Sequence, residues 1–187
     1  NSLTNKVDFI ADLLLKQSIH VLAVSETGFL RAVASSFVDI ADYSVVRGDT
    51  NGAARKHGSL LYMHNNITFL VFEVHIPNVV AVHLIDYDLW IIAVYRPPSY
   101  TILENTFLLN FLLNFCPGKE VIIAGDFNLP TTDWSLDLID GYIWPVDTQF
   151  LDCLLSLGLL QWVKEPTFLL SDNTQDLLFA SEEDRVG

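Results

Sequence analysis

Cysteine, methionine and basic side chains are all scarce in this sequence, and each scarcity removes a class of explanation. The two cysteines, Cys116 and Cys153, stand in no CxxC or Cys/His spacing. That excludes a disulfide framework and a structural zinc site, and leaves buried thiols in a reducing compartment. Met63 is the sole methionine and the first residue is Asn1, so the sequence reads as an excerpt of a longer product. No apolar run reaches the roughly eighteen uncharged residues of a membrane span. Lys6, Asp8, Asp12 and Lys16 interrupt the start, where a signal peptide would be apolar. The expectation is a soluble intracellular protein, nuclear or cytoplasmic, with no membrane partner.

Positive charge is the other shortage. Ten Lys and Arg face 23 Asp and Glu, giving a net charge of −13. A nucleic-acid binder usually carries a basic footprint, because neutralising phosphates releases counterions and supplies non-specific affinity. Here the densest basic cluster is Arg55 to His57. Action on a polyanion therefore has to rely on a divalent cation or on segments outside this sequence.

What is present suits one α/β domain over residues 1–187, since 51% of the residues are hydrophobic and the chain is long enough for a sizeable core. Val7, Ile10, Leu13 and Leu14 have the spacing of an amphipathic helix. "IHVLAVSE" then reads as a strand ending at Glu26, residues 47 to 58 as a loop, and "SLLYMHN" and "ITFLVFEVHI" as strands. "AVHLIDYDLWIIAVY" predicts a hairpin turning at Asp86 to Asp88, ended by the prolines of "RPPS". A helical stripe follows at Phe107, Leu108, Phe111, Leu112 and Phe115. "EVIIAG" reads as a strand, "DTQFLDCLLSLGL" as a helix, "LQWV" as a short strand, "EPTFLLSDNT" as a loop and "QDLLFAS" as a last strand. The final "SEEDRVG" is acidic and expected to be solvated. This order predicts mainly antiparallel sheets covered by helices.

The chemistry is expected at strand ends. In "VIIAGDFNLPTTDW" an apolar run stops at Gly125, Asp126 and Asn128, which delivers two polar side chains where α/β folds tend to place ligands. Strand alternation puts Asp126 and Asn128 on one face and Phe127 on the other. Both residues equally suit a turn, because each bonds its own backbone well. Similar strand ends carry Glu26, Tyr95 followed by Arg96, and Asp176.

Together "LAVSETGFL", "IIAVYRPPS", "VIIAGDFNLPTTDW", "FLDCLLSLGLLQWVKEPT" and "NTQDLLFAS" resemble the endonuclease/exonuclease/phosphatase superfamily. They are most similar to the endonuclease domains of non-LTR (LINE-type) retrotransposons. The resemblance implies a four-layer α/β sandwich, two mixed and mainly antiparallel sheets packed face to face with helices outside, here lacking its first and last strands and truncated at both ends. It implies that Glu26 holds Mg²⁺, with Mn²⁺ as a possible substitute, since a hard ion prefers carboxylate oxygen and keeps its waters. Asp126 is implied to orient and deprotonate the attacking water, Asn128 and Tyr95 to contact the phosphate, Arg96 to bind substrate, and Asp176 to orient a catalytic His. The implied substrate is DNA, nicked to prime a reverse transcriptase encoded in the same full-length product.

The sequence also departs from that family. The family's Ser-Asp-His triplet after the last strand is missing, and none of His20, His57, His64, His75 and His83 stands in its place. Gly28 replaces a usual Trp, Lys56-His57-Gly58 a glycine run, Phe168 a common basic residue, and Gln175 a usual Leu. The expectation is weak or no nicking by this chain itself. The alternatives are a non-catalytic remnant of the domain and a phosphoesterase acting on a small or lipid substrate.

Overall fold

The computed structural model describes residues 3, 6–29, 34–49, 57–129, 132–133, 138–139, 145–167 and 174–181. The chain divides into two units, Asn1–Tyr95 and Arg96–Gly187.

In the first unit the predicted amphipathic helix is α1 (Val7–Lys16), which buries Ile10 and Leu14. Its exposed face carries an i,i+4 ion pair between Asp12 and Lys16, 2.8 Å apart, of small energetic weight. Strands β1 (Val21–Ser25), β2 (Tyr43–Asp49) and β3 (Gly58–His64) form an antiparallel sheet in the order β1-β3-β2. A 3-10 turn at Ser35–Phe37 precedes β2. Because strand side chains alternate, Leu22, Val24, Tyr43, Val45, Leu60 and Tyr62 share the face that packs with Ile10 and Leu14 of α1. Leu60 to Met63 of the central strand are fully buried, so both faces of β3 are covered. The second cover is the antiparallel run of β4 (Phe69–Phe72), β5 (Val79–Leu84) and β6 (Leu89–Tyr95). The expected β5–β6 hairpin is present: Ile85–Tyr87 makes a 3-10 turn, Asp88 adopts a left-handed φ of 48°, and Leu84 pairs with Leu89. The unit is thus layered as helix, sheet and sheet.

Two expectations change here. Arg47, Gly48 and Asp49 are not loop but the end of β2, paired from Arg47↔Leu60 to Asp49↔Gly58. Their polar signal has a tertiary cause. Arg47 and Asp49 form an ion pair at 2.6 Å with side chains only 10% and 6% exposed. Gly48 lies so close to β5 that a Cβ would sit 2.6 Å from the Val79 carbonyl oxygen. Residues 50–56, including Arg55 and Lys56, lie outside the described residues. The strand expected over "ITFLVFEVHI" is confined to Phe69–Phe72, and the chain then leaves the ladder through Pro77 and a left-handed Asn78.

In the second unit, α2 (Ile102–Phe115) starts with a capping box. Thr101 accepts from the Glu104 N–H at 3.2 Å, and the Glu104 carboxylate accepts from the Thr101 N–H at 2.7 Å. Its buried face is Asn105, Leu108, Leu109, Leu112 and Phe115, so the stripe is displaced from the expected one: Phe107 is 54% exposed. The displacement turns the polar Asn105 inward, toward partners described below. Strand β7 (Glu120–Asp126) follows as expected. The two-residue strands β8 (Thr132–Asp133) and β9 (Leu138–Ile139) pair with each other and were not anticipated. Then come α3 (Pro145–Ser156), β10 (Leu160–Gln161) and β11 (Asp176–Ala180), in the antiparallel order β10-β11-β7. Trp134, Phe168, much of the expected loop before β11 and the acidic tail from Glu182 lie outside the described residues.

Phe127, fully buried, meets Phe150 of α3 and Phe179 of β11 edge-on, with ring centroids 6.1 and 5.5 Å apart. Cys116 and Cys153 are both buried free thiols. Burial, reinforced by Cys153, pushes the Cys116 thiol up to about 12, and burial alone takes Cys153 to about 11. Since the thiolate is the nucleophile, neither should react with a thiol reagent at pH 8 until the protein is denatured. Mass spectrometry of labelled native and denatured protein checks this. Among the described residues, no helix is long and apolar enough to cross a membrane.

Candidate functional site

Glu26 is the first residue beyond the β1 ladder, which closes at Ser25↔Ser59. Its backbone is left-handed, with φ of 54°, and its side chain is exposed. The exit is clamped by Thr27, a buried residue whose N–H donates to the Gly58 carbonyl and whose carbonyl accepts from Leu3 N–H, both at 3.2 Å. Gly58 has φ of 148°, and a Cβ there would meet Thr27 Oγ1. Only glycine lets β3 begin so close to Thr27.

Tyr95 ends β6 with its side chain 2% exposed. Its hydroxyl donates to Glu26 Oε1 at 2.8 Å. The two residues are 69 apart in sequence, and nothing local to either one announces the pair. The His57 ring lies 5.4 Å from the Tyr95 ring, tilted by 47°. One oxygen of an exposed carboxylate is therefore fixed by a buried phenol, with an imidazole beside it.

The second unit holds the other predicted side chains. Gly125 and Asp126 end β7, and the Asp126 carbonyl accepts from the Arg96 N–H at 2.8 Å. Phe127 N–H donates to the Gln175 carbonyl at 3.1 Å. Asn128 then turns left-handed, with φ of 48°, and its N–H donates to Asp126 Oδ1 at 3.1 Å. Strand alternation thus stops at Asp126, and a hydrogen bond rather than a shared pleat face brings Asp126 and Asn128 together. The turn reading holds, since the Asp126 carboxylate closes the turn, while the expected shared strand face is not formed.

Arg96 is 4% exposed, and its guanidinium serves this turn. Nε donates to Asn105 Oδ1 at 2.8 Å, and Nη1 donates to the carbonyls of Phe127 and Asn128, each at 2.9 Å. The Phe150 ring lies 5.5 Å from its Cζ. Burial lowers the Arg96 pKa, while Asp147, Asp126 and Tyr100 act in the opposite sense. A direct substrate contact was expected from Arg96, but its donors point into the protein.

Asp176 opens β11, exposed, as the direct Cα partner of Asp126. Thr167 Oγ1 holds the strand entry by accepting from Gln175 and Asp176 N–H at 2.9 and 3.0 Å. Two like charges facing each other across an antiparallel pair are unfavourable. Among the described residues, no group of three or more His, Cys, Asp or Glu is arranged to hold a metal ion.

The family model described as endonuclease-reverse transcriptase matches residues 89–186, the stretch carrying Tyr95, Arg96, Asp126, Asn128 and Asp176. The chain belongs to this family. No curated protein sequence matches it significantly. Among solved structures it is similar to the endonuclease domain of TRAS1, a telomere-specific non-LTR retrotransposon, at 15% identity and a TM-score of 0.69, covering 97% of this chain and 80% of that one. It is similar to the 3′ phosphatase NExo from Neisseria, solved with a product DNA hairpin, at 15% identity and a TM-score of 0.66, covering 97% and 83%. The AP endonuclease LMAP from Leishmania major matches at 13% identity and a TM-score of 0.69, covering 96% and 75%. Identities this low establish the fold: the α/β sandwich of the endonuclease/exonuclease/phosphatase superfamily, as the resemblance implied. In this member of the family, Asn105 and Gly58 are the supporting residues that sequence reading missed. The Thr-x-x-Glu signature at Thr101 to Glu104 signals a helix start there and places Asn105 at its first turn.

Proposed function

We propose that this chain is a metal-dependent endonuclease domain that nicks target DNA and leaves an end from which a reverse transcriptase in the same full-length polypeptide is primed. The observation that carries the reading is the Asp126–Asn128 turn, a carboxylate bonded to the backbone that presents an amide, inside the matched stretch. The DNA hairpin bound by the Neisseria phosphatase and the retrotransposon source of the TRAS1 domain support DNA as the substrate class.

Glu26 fits Mg²⁺ by the chemistry of its group: an exposed hard oxygen donor suits an ion that keeps several waters and takes one or two carboxylates. Mn²⁺ suits the same oxygens. Bound there, the cation supplies neutralisation of charge on the phosphodiester oxygens. Tyr95 fixes the Glu26 carboxylate through Oε1 and so sets its direction. Asp126 orients a water and accepts its proton as the water oxygen bonds to phosphorus. The phosphorus–O3′ bond breaks in line and O3′ takes a proton from solvent water, leaving a 3′ hydroxyl and a 5′ phosphate. Asn128 donates its side-chain amide to a phosphate oxygen. Asp176, the Cα partner of Asp126, stands at the same strand end as a further carboxylate.

Nicking of supercoiled plasmid in Mg²⁺ tests the reading, with the domain assayed by itself and in its full-length polypeptide. Nicked circles that disappear on chelation are expected from the full-length form, with weak or no nicking by the domain alone, and intact plasmid from both forms would refute it. Glu26→Gln should weaken Mn²⁺ binding more than Tyr95→Phe, whose loss of an outer hydrogen bond is expected to cost about tenfold in affinity. Titration followed by electron paramagnetic resonance measures both.

A further inference from the structure

We infer that Arg96 is a positioning residue for Asn128, and that Asn105 of α2 is the anchor through which it acts. The bonds form a closed set. Arg96 Nη1 donates to the Asn128 carbonyl at 2.9 Å, and the Arg96 carbonyl accepts from Asn128 Nδ2 at 3.1 Å. The same Nη1 donates to the Phe127 carbonyl at 2.9 Å, while Nε is held by Asn105 Oδ1 at 2.8 Å. Arg96 and Asn105 are 4% and 6% exposed, so water does not substitute for these bonds without opening the core.

The geometry needs an arginine. A guanidinium presents fixed, diverging N–H groups, so one edge reaches the Asn105 oxygen while another nitrogen reaches two carbonyls. A lysine ammonium cannot span those acceptors. The left-handed φ of 48° at Asn128 is one that asparagine adopts more readily than most non-glycine residues when its side chain has a local hydrogen-bond partner, here the Arg96 carbonyl. Bonding the backbone carbonyl and the side-chain amide of Asn128 to one residue fixes both its backbone and its side chain. An amide has two N–H groups, and directing one to Arg96 fixes the direction of the other.

Asn105 in turn is rooted in the helix start. Its Nδ2 donates to the Thr101 carbonyl at 3.0 Å and the Tyr100 carbonyl at 3.4 Å, beside the capping box. Its oxygen faces Arg96 and its nitrogen faces its own helix. The two functions are separable by substitution, and the consequence for phosphate contact rests on the nuclease reading above.

The test compares Asn105→Asp with Asn105→Ala in the full chain. Aspartate keeps the acceptor for Arg96 Nε and loses the donor to Tyr100 and Thr101, whereas alanine loses both. The first readout is hydrogen exchange at the Phe127 and Asn128 amides by NMR. Exchange at Asn128 should be about ten- to a hundredfold faster in Asn105→Ala and near the parent value in Asn105→Asp. If both variants exchange alike, whether fast or slow, Asn105 acts only as a helix cap and the inference fails. Arg96→Lys supplies a second arm: fast exchange at Asn128 with α2 amides still protected is expected, and unchanged exchange overturns the proposal. Nicking kinetics then separate the two readings. Altered exchange with no nicking by any form leaves the clamp and removes the nuclease; nicking with unaltered exchange does the reverse.

Discussion

Asp126→Asn is expected to abolish the proposed nicking while leaving the turn in place. The substitution keeps an oxygen at the position that accepts the Asn128 N–H at 3.1 Å, so the left-handed turn retains its closing bond. What is lost is the capacity to take a proton, and positioned general bases contribute about 10²- to 10⁴-fold in rate. The sheet should not suffer. Asp126 stands opposite Asp176 in the ladder, and removing one of two facing like charges relieves repulsion. The expected result is therefore a rate loss of at least about a hundredfold with at most a small drop in thermal midpoint, because Asp126 also offsets the charge of the buried Arg96. Plasmid nicking and a calorimetric melt on the same sample measure the two quantities. A loss of only severalfold would reassign Asp126 from proton acceptor to turn former.

Phe127→Ala is expected to be the most destabilising single change near the site, by about 3–5 kcal/mol. The side chain is fully buried, and it is held edge-on by Phe150 and Phe179 at 6.1 and 5.5 Å. Truncation removes both aromatic contacts and leaves a cavity that two ring edges cannot collapse to fill. The residue also lies between Asp126 and Asn128, so relaxation into the cavity would draw the turn inward. Chemical denaturation should show a lowered midpoint with an unchanged slope, and Phe127→Leu should recover part of the loss. If Phe127→Ala costs less than about 1 kcal/mol, the ring does not anchor the strand end.

Asp126 and Phe127 show how one strand serves two ends. Apolar residues alternate inward along β7 and finish with a buried ring, which makes the strand end rigid. The next polar groups are then held by a few hydrogen bonds rather than by burial of their own.

Most of the secondary structure was legible in the sequence because its causes are local. Apolar spacing places α1, the β-branched run places β7, and the polar turn between Leu84 and Leu89 places the hairpin. The strand ends carrying Glu26, Tyr95, Asp126 and Asp176 follow from the same patterns, since each is a polar residue that stops or opens an apolar run. The local signals failed where a polar residue had a distant cause. Gly48 and the Arg47–Asp49 pair imitate a loop, but β5 passes close to the glycine and a common strand face buries the charges. Phe107 imitates a core residue, yet the buried face of α2 turns toward Asn105 because Arg96 waits there. The hydrogen bond from Tyr95 to Glu26 spans 69 residues, and those from Arg96 to Phe127 and Asn128 span 31 and 32. Periodicity and turn chemistry act over a few residues and specify which groups stand at strand ends. Strand register and close packing bring those groups together, and these exist only in the folded chain, so tertiary structure alone decided that Tyr95 holds a carboxylate and that Arg96 holds a turn.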